Sequence, residues 1–249
     1  MSVALSIPPS GPIFDGHFPG RPILPGVAAL GMIASMLGGG RPLSGVRSVR
    51  FRDPLGPGTT LDLDSVALDE HAVRFDARAS GRLVLNGRLA FEALTPAAPA
   101  RFTVAARQPR GVPPLERLLL HRGPARLVHA VAGEADDGAT CVARIPAGSG
   151  LAAGNAAPAL AAIEAAAQTA AVWEALRRLR RGEDEGIRLG YLVALRDIEL
   201  HAATVPVEVD LYATVRLEAA VPPLAHYAVE VVTEGELVAS GTIGTWLVA

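Results

Sequence analysis

The sequence predicts an α+β protein made of two similar halves, each an antiparallel sheet wrapped around one central apolar helix. Two stretches, residues 22–40 and 145–163, each run for 19 residues without a charged side chain. Segments of alternating apolar and polar residues follow both stretches, as in strands with one buried face. The chain also repeats itself, because the segment that begins Gly81-Arg-Leu-Val aligns with the one that begins Gly235-Glu-Leu-Val, 154 positions later. An internal repeat of this length predicts a duplicated domain.

In each half a strand is expected before the helix. In the first half the helix is expected at about residues 25–37, because a proline opens it and the glycines at 38–40 form a turn after it. In the second half the helix is expected at about 158–181. Four strands are expected after each helix from the alternating pattern. Their ranges are 45–52, 60–68, 72–80 and 83–94, then 187–200, 207–217, 225–233 and 237–248.

The two halves are separated by a segment with no helical or strand period. Residues 95–114 contain five prolines in 20 positions, which is typical of a linker. We therefore predict an N-terminal domain over 1–94, a linker over 95–114 and a C-terminal domain over 115–249.

Composition excludes several classes of function. The chain has 249 residues, of which 50% are hydrophobic and 4% aromatic, and 23 basic side chains stand against 25 acidic ones. A formal charge of -2 gives no general attraction to nucleic acid or to anionic membranes. Both uncharged stretches are interrupted by glycine and proline, which disfavours a membrane span. The lone Cys141 excludes an intramolecular disulfide, and without an export signal we expect a cytoplasmic protein.

One segment before the first helix concentrates groups that carry chemistry. It reads Phe14-Asp-Gly-His17-Phe-Pro-Gly-Arg-Pro-Ile-Leu-Pro25-Gly26-Val27, with three prolines and three glycines around one histidine. Proline and glycine at the start of a helix leave backbone N–H groups without intrahelical partners, and these can donate to a developing negative oxygen. Histidine is a proton acceptor near neutral pH. The segment thus predicts a base beside an anion-stabilising site.

This segment resembles the active-site motif of the hotdog-fold 3-hydroxyacyl-acyl-carrier-protein dehydratases of bacterial fatty-acid synthesis. The resemblance rests on Gly16-His17-Phe-Pro-Gly-Arg-Pro22 and Leu24-Pro-Gly-Val27. It implies a double hotdog fold for the duplicated chain. In that family the histidine works with an acidic residue 14 positions later, supplied by the other subunit of a dimer. The corresponding position here is Gly31, so the first half lacks the acid.

The second half shows the opposite loss. Ile163-Glu164-Ala-Ala-Ala-Gln168 resembles the family's Glu-x-x-x-Gln helix motif, whereas the position 14 residues earlier is Gly150. In a fused pseudo-dimer with crossed sites, His17 and Glu164 meet, and Gly31 and Gly150 belong to an inactive second site. The segment Leu119-Leu-His-Arg-Gly-Pro124 adds a resemblance to the partner subunit of heterodimeric dehydratases from aryl-polyene pathways.

The resemblance implies dehydration of carrier-protein-bound 3-hydroxyacyl thioesters to trans-2-enoyl thioesters, without cofactor or metal. His17 is the expected base, and Glu164 activates or protonates the departing hydroxyl. Because Glu164 is a lone charge on an apolar helix, desolvation is expected to raise its pKa. Gly26 is the expected oxyanion donor, and Gln168 orients Glu164 or the substrate. The expected oxyanion and substrate contacts are Gly26, Phe18, Pro25, Val27 and Gln168.

Further expectations concern partners and the remaining charged residues. The expected partner is an acyl carrier protein with a phosphopantetheine-linked chain, in fatty-acid, polyketide or polyene assembly, and a homodimer of double hotdogs is left open. Arginines flanking the first helix are candidate contacts for an acidic carrier, while those at the end of the second helix complement its dipole. The former are Arg21, Arg41, Arg47, Arg50 and Arg52. The other histidines, expected in surface or packing roles, are His71, His121, His129, His201 and His226.

Two classes of alternative remain open. The same scaffold hosts thioesterases and enoyl isomerases, so fold alone does not choose among these enzymes. Because both halves carry incomplete motifs, a non-catalytic scaffold or acyl-binding subunit is the alternative outside enzymes.

Overall fold

The computed structural model describes residues 2–94, 111–183 and 186–248. The first half contains one helix and five strands, and its helix comes between the first and second strands, as predicted. These elements are β1 (Ser2–Ser6), α1 (Gly26–Gly38), β2 (Gly45–Phe51), β3 (Thr60–Ala67), β4 (Ala72–Ala79) and β5 (Arg82–Ala90).

The second half contains a longer helix and eight strands, two of them only three residues long. These elements are β6 (Val128–Ala135), β7 (Gly138–Ala143), β8 (Ala156–Pro158), α2 (Ala162–Arg180), β9 (Gly190–Leu200), β10 (Thr204–Pro206), β11 (Leu211–Val221), β12 (Leu224–Thr233) and β13 (Glu236–Leu247). A 3-10 turn over Ala159–Ala161 leads into α2. Both predicted helices and all eight predicted strands after them are present, with boundaries shifted by a few residues.

The strands of the two halves form one continuous sheet. Eleven strands pair in the order β1-β3-β4-β5-β2-β9-β13-β12-β11-β7-β6, and β8 and β10 form a separate small pair. Outward from the central β2–β9 pair, equivalent strands follow one another in both halves, which is the topology of a duplicated unit. The expectation of two separate sheets is therefore wrong. β2 and β9 are the open edges of their halves, and pairing them satisfies backbone N–H and C=O groups that would otherwise be unpaired.

The predicted linker cannot be compared over most of its length, because residues 95–110 lie outside the described residues. Residues 111–114 contain neither helix nor strand, and a short 3-10 helix begins at Leu115.

The α2 helix is packed against the strands of the second half. Its alanine-rich face allows close approach to the sheet, and its large anchor is Trp173, which is buried. The Trp173 indole N–H donates to the carbonyl of Ala135 at 3.2 Å, and its ring meets that of Tyr227 edge-on at 5.9 Å. Such aromatic pairs contribute about 0.5–1.5 kcal/mol beyond the area that they bury. These contacts fix the helix relative to β6 and β12.

Within the three described segments, neither helix combines the length and the apolar character needed to cross a membrane.

Candidate active site

The loop before α1 holds His17 in one orientation. His17 Nδ1 lies 2.8 Å from the carbonyl oxygen of Ile23, and the Ile23 amide donates back to the carbonyl of His17 at 2.8 Å. A carbonyl only accepts, so Nδ1 carries the hydrogen. Phe18 stacks on the imidazole with ring centroids 4.3 Å apart. The remaining nitrogen, Nε2, therefore keeps its lone pair and can accept a proton.

Glu164, in the first turn of α2, lies opposite His17. The distance from His17 Nε2 to Glu164 Oε1 is 4.0 Å, and the two residues are only 8% and 5% exposed. The structure thus brings together two residues from different halves of the chain. A small molecule that reaches one of these groups reaches the other.

A second histidine, His121, contacts the same carboxylate. Its Nε2 lies 3.5 Å from Glu164 Oε1, and the residue is 8% exposed. His121 is expected from the sequence to have a surface or packing role, and the structure buries it against the Glu164 carboxylate. It has no ligand-like spacing from the other histidines, although it lies within the segment that resembles a dehydratase partner subunit.

The segment that carries His121 folds over the His17 loop. The Arg122 amide donates to the carbonyl of Gly16 at 3.1 Å, and the Arg122 guanidinium donates to the carbonyl oxygens of His121 at 2.9 Å and Glu116 at 3.0 Å. Gly16 has a φ of +86°, and a Cβ there would lie 1.8 Å from the Arg122 carbonyl oxygen. Only glycine allows this contact, so the motif glycine before His17 is what lets the two segments meet.

Gln168 orients Glu164 from the next turn of α2. Its Nε2 donates to Glu164 Oε1 at 3.2 Å and to the Ala125 carbonyl at 2.8 Å. Its Oε1 accepts from the amides of Leu127 at 2.9 Å and Val128 at 3.4 Å. Both ends of this amide are thus occupied, which ties the helix to the start of β6 and fixes the carboxylate.

Glu164 is ionised in this environment. Burial raises its pKa, but the hydrogen bond from His121, the Coulombic interactions with His17 and His121 and the hydrogen bond from Gln168 together outweigh burial and lower the pKa to about 2. The expectation of a raised pKa is therefore wrong, because the sequence did not reveal these partners. Burial also lowers the pKa of His17 by more than Glu164 raises it, and His121 lowers it further. His17 is consequently neutral near pH 7.

His17, His121 and Glu164 each offer one nitrogen or oxygen atom, and these three atoms all lie within 4.8 Å of one another. Two ligands at about 2.1 Å from a tetrahedral ion lie roughly 3.4 Å apart. The set is thus wider than an occupied zinc site, and we interpret it as a group of proton donors and acceptors.

The start of α1 offers one unpaired backbone N–H group, that of Gly26, to the same cavity. The amides of Ala28 and Ala29 donate to the Pro25 carbonyl, while those of Gly26 and Val27 have no backbone acceptor among the described residues. Gly26 lines the cavity, and a Cβ there would lie 3.0 Å from the Phe51 ring. Phe18 also lines it, but Pro25 and Val27 do not. The structure therefore places Pro25 and Val27 beside the site without bringing their side chains to it.

A cavity of about 840 Å³ extends from these groups. It follows one face of α2 from Glu164 to Arg178, past the small side chains of Ala167, Ala171 and Ala175. At 1.5 Å per residue this path is about 21 Å long. Four arginines line the cavity while remaining exposed, so they mark its rim. They are Arg50, Arg52, Arg188 and Arg196.

The equivalent groups of the second site are closed or missing. A Cβ on Gly150 would lie 2.2 Å from the backbone of Ile13, so no histidine fits at that position. The amide of Ala159, which corresponds to that of Gly26, donates to the Ala203 carbonyl at 3.0 Å. Gly31 supplies no carboxylate. The chain therefore has a complete set of groups at one of the two equivalent positions.

Comparison with known proteins identifies the family. Residues 113–247 match the model of the ApeP-like family, described as ApeP dehydratase. The chain belongs to the ApeP-like dehydratases. Residues 1–88 match the ApeI-like model, described as ApeI dehydratase, so this ApeP-like dehydratase carries an ApeI-like half in the same chain. The predicted resemblance to a fused dehydratase pair is confirmed.

Among curated relatives, the 3-hydroxyacyl-[acyl-carrier-protein] dehydratase FabZ of Syntrophotalea carbinolica is 34% identical over 94 residues, covering 33% of this chain and 63% of that protein. This ApeP-like dehydratase thus spans slightly less than two thirds of the length of the curated relatives that it matches.

Solved structures confirm the hotdog architecture. The dehydratase domain of PpsC from Mycobacterium tuberculosis, in complex with C12:1-CoA, matches with a TM-score of 0.71 at 16% identity, covering 99% of this chain and 93% of that chain. A monomeric dehydratase domain from a trans AT polyketide synthase split module matches with a TM-score of 0.72 at 15% identity, covering 100% and 99% of the two chains.

Proposed function

We propose that this protein converts 3-hydroxyacyl thioesters to trans-2-enoyl thioesters and water at a single composite site. The observation that carries the proposal is the 4.0 Å separation between His17 Nε2 and Glu164 Oε1 at one end of a cavity of about 840 Å³. Dehydration breaks bonds on two adjacent carbons. It therefore needs a proton acceptor and a group that binds the hydroxyl within a few ångströms of each other.

His17 and Gly26 act in the first part of the reaction, the removal of the α-proton. With the thioester carbonyl accepting from the Gly26 amide, His17 Nε2 removes the α-proton and negative charge develops on the carbonyl oxygen. The amide is fixed in direction by the helix, so it stabilises this charge without reorganisation. Loss of one such donor costs about 2.7–4 kcal/mol of transition-state stabilisation in other enzymes. The histidine is suited to this step because burial keeps it neutral.

Glu164 acts in the second part of the reaction, the departure of the hydroxyl. As a carboxylate it accepts a hydrogen bond from the β-hydroxyl, and this places the Cβ–O bond beside His17. Gln168 holds the carboxylate in this orientation. The hydroxyl leaves as water only when a proton reaches its oxygen, so the site must also contain a proton donor.

The substrate is proposed to be attached to an acyl carrier protein through phosphopantetheine. The curated relatives are dehydratases of this class by name, and the exposed rim arginines can attract a phosphate and an acidic carrier. Fatty-acid, polyketide and polyene assembly all produce such 3-hydroxyacyl chains. Because one chain provides both His17 and Glu164, the site needs no residue from a second subunit.

The proposal is tested by incubating the full chain with a 3-hydroxyacyl pantetheine thioester and, separately, with the same acyl group on a carrier protein. We expect enoyl absorbance and no free thiol. Thiol release would establish a thioesterase instead, and movement of the double bond in an enoyl substrate without water loss would establish an isomerase. Tight binding without turnover would indicate an acyl-binding subunit.

Enlarging Ala171 is expected to obstruct the path along α2. Forcing extra methylenes into a packed space costs about 1–3 kcal/mol, so Ala171→Leu should lower kcat/KM about tenfold or more. If this path holds the acyl tail, the loss appears only with long chains. If it holds pantetheine, all chain lengths lose equally. Steady-state kinetics over a chain-length series checks this, with the exposed Ala130→Leu as control. Unchanged kinetics throughout would show that substrate does not use this path.

A further inference from the structure

We propose that His121 is a positioning residue that supplies a proton to the departing hydroxyl through Glu164, and this inference rests on the proposed dehydration. His17 is committed as the base, and Glu164 is surrounded by donors that favour its carboxylate form. The donor that dehydration requires must then be a neighbour of Glu164. The closest ionisable neighbour is His121, at 3.5 Å from Glu164 Oε1.

The hydrogen-bond partners of the two histidines differ, and they suit His17 to accept a proton and His121 to donate one. His17 uses Nδ1 to donate to the Ile23 carbonyl, which leaves a lone pair on Nε2. His121 Nδ1 is buried and has no hydrogen-bond partner in the described part of the chain. Only Nε2 of His121 meets a partner, and that partner is a carboxylate oxygen. A proton on this nitrogen lies directly between the ring and Glu164.

Charge balance supports one exchangeable proton in the cluster. A buried carboxylate without a compensating cation is costly, and all three groups are buried. A proton on His17 would disable the base. A proton on His121 neutralises the cluster and leaves His17 free to act, so it is the placement compatible with catalysis.

The resulting steps conserve atoms and charge. The Cα–H bond breaks and its proton moves to His17 Nε2, while the electron pair forms the new carbon–carbon double bond. The Cβ–O bond breaks as the proton of His121 Nε2 moves to Glu164 Oε1 and from there to the leaving oxygen, so that Glu164 ends as a carboxylate again. Water departs, leaving His17 protonated and His121 neutral. Proton transfer from His17 to His121, across Glu164, restores the starting state.

The surroundings hold His121 in place for this transfer. Its ring meets Phe18 edge-on at 4.8 Å and lies 5.1 Å from the ring of His17. The charged or titratable groups facing it are His17 from the loop before α1, Glu164 from α2 and Arg122 from its own segment. The Arg122 guanidinium is engaged by backbone carbonyl oxygens, including that of His121, and so anchors the segment.

The test is the pH profile of His121→Gln in the full chain. Glutamine keeps an N–H near Glu164 but cannot release a proton, so a purely structural role would be largely preserved. We expect KM to stay within about threefold of wild type and kcat to fall about 10²-fold, the usual size of a lost acid–base group. The alkaline limb of the kcat profile should move to lower pH, because Glu164 alone must then hold the proton. The acid limb, set by His17, should remain.

The matched control is His129→Gln, because His129 is an exposed histidine paired with Asp210 at 3.6 Å; we expect its profile to equal that of wild type. A His121→Gln variant with both limbs unmoved would overturn the inference while leaving the proposed function intact. Absence of enoyl formation by the wild type would instead overturn the proposed function, and with it this inference.

A second measurement observes the proton in the wild-type protein and needs the variant only to assign the resonance. In ¹⁵N-histidine-labelled wild-type protein at neutral pH, we expect one imidazole protonated on both nitrogens and absent from the His121→Gln spectrum, while His17 is neutral with hydrogen on Nδ1. A neutral His121 together with a protonated Glu164 would contradict the proposed proton placement.

Discussion

Replacement of His17 by asparagine is expected to lower kcat for enoyl formation by about 10²–10⁴-fold, the range for loss of a general base. Asparagine places an N–H near the position of Nδ1, so it can still donate to the Ile23 carbonyl and keep the loop folded. It has no group that accepts a proton near neutral pH. The loss should therefore appear in kcat, with KM and thermal stability close to wild type, as measured by steady-state kinetics and thermal unfolding.

A suitable control for this variant is His71→Asn, because His71 is exposed on the turn between β3 and β4. We expect it to retain full activity. If His17→Asn kept more than about a tenth of the wild-type kcat, the loss would be smaller than that expected for removal of a general base. Another residue would then have to be the base.

Replacement of Glu164 by glutamine is expected to lower kcat by about 10²–10³-fold. The amide has the same shape and can stay within the contacts of Gln168 and His121, but it cannot carry a proton between His121 and the hydroxyl. Glu164→Asp should recover part of the activity, because it restores the carboxylate while withdrawing it by one methylene. Steady-state kinetics at several pH values separates these variants.

The double variant His17→Asn/Glu164→Gln shows whether the two residues act as a unit. The effects of substituting residues of one catalytic unit are strongly non-additive. We therefore expect the kcat of the double variant to lie within about threefold of that of the slower single variant. Losses that multiply would show that the two side chains act in independent steps or at independent sites.

Much of the fold follows from local sequence pattern. The helices are marked by runs without charge, and the strands by alternation, both of which depend on which face is buried. The joining of the two sheets could not be predicted from the sequence. β2 and β9 pair through backbone hydrogen bonds, and the pattern of side chains does not indicate which strand is the partner. The sequence pattern likewise gives no range for β6.

The contact between His17 and Glu164 could be predicted because the first half has the histidine without the acid, and the second half has the acid without the histidine. In a duplicated fold with crossed sites, these two residues belong to the same site. The part played by His121 could not. Its position depends on a loop that crosses onto the other half through Gly16 and Arg122, a tertiary contact without periodicity. The pKa of Glu164 was mispredicted for the same reason. Burial alone raises this pKa, whereas the neighbouring imidazoles of His17 and His121 lower it.

The asymmetry of the molecule is consistent with one working site. Where the second site would lie, the backbone of Ile13 occupies the space beside Gly150, and the amide equivalent to that of Gly26 is already used. The groups of the candidate site therefore come from both halves, His17 from the first and Glu164 from the second.

The most direct measurement is a crystal structure of the His17→Asn variant with a 3-hydroxyacyl pantetheine amide, a stable analogue of the thioester. We predict that the hydroxyl donates a hydrogen bond to the Glu164 carboxylate, the carbonyl oxygen accepts from the Gly26 amide, and the α-carbon faces residue 17. An analogue bound where its hydroxyl and α-carbon cannot reach both side chains would contradict the composite site.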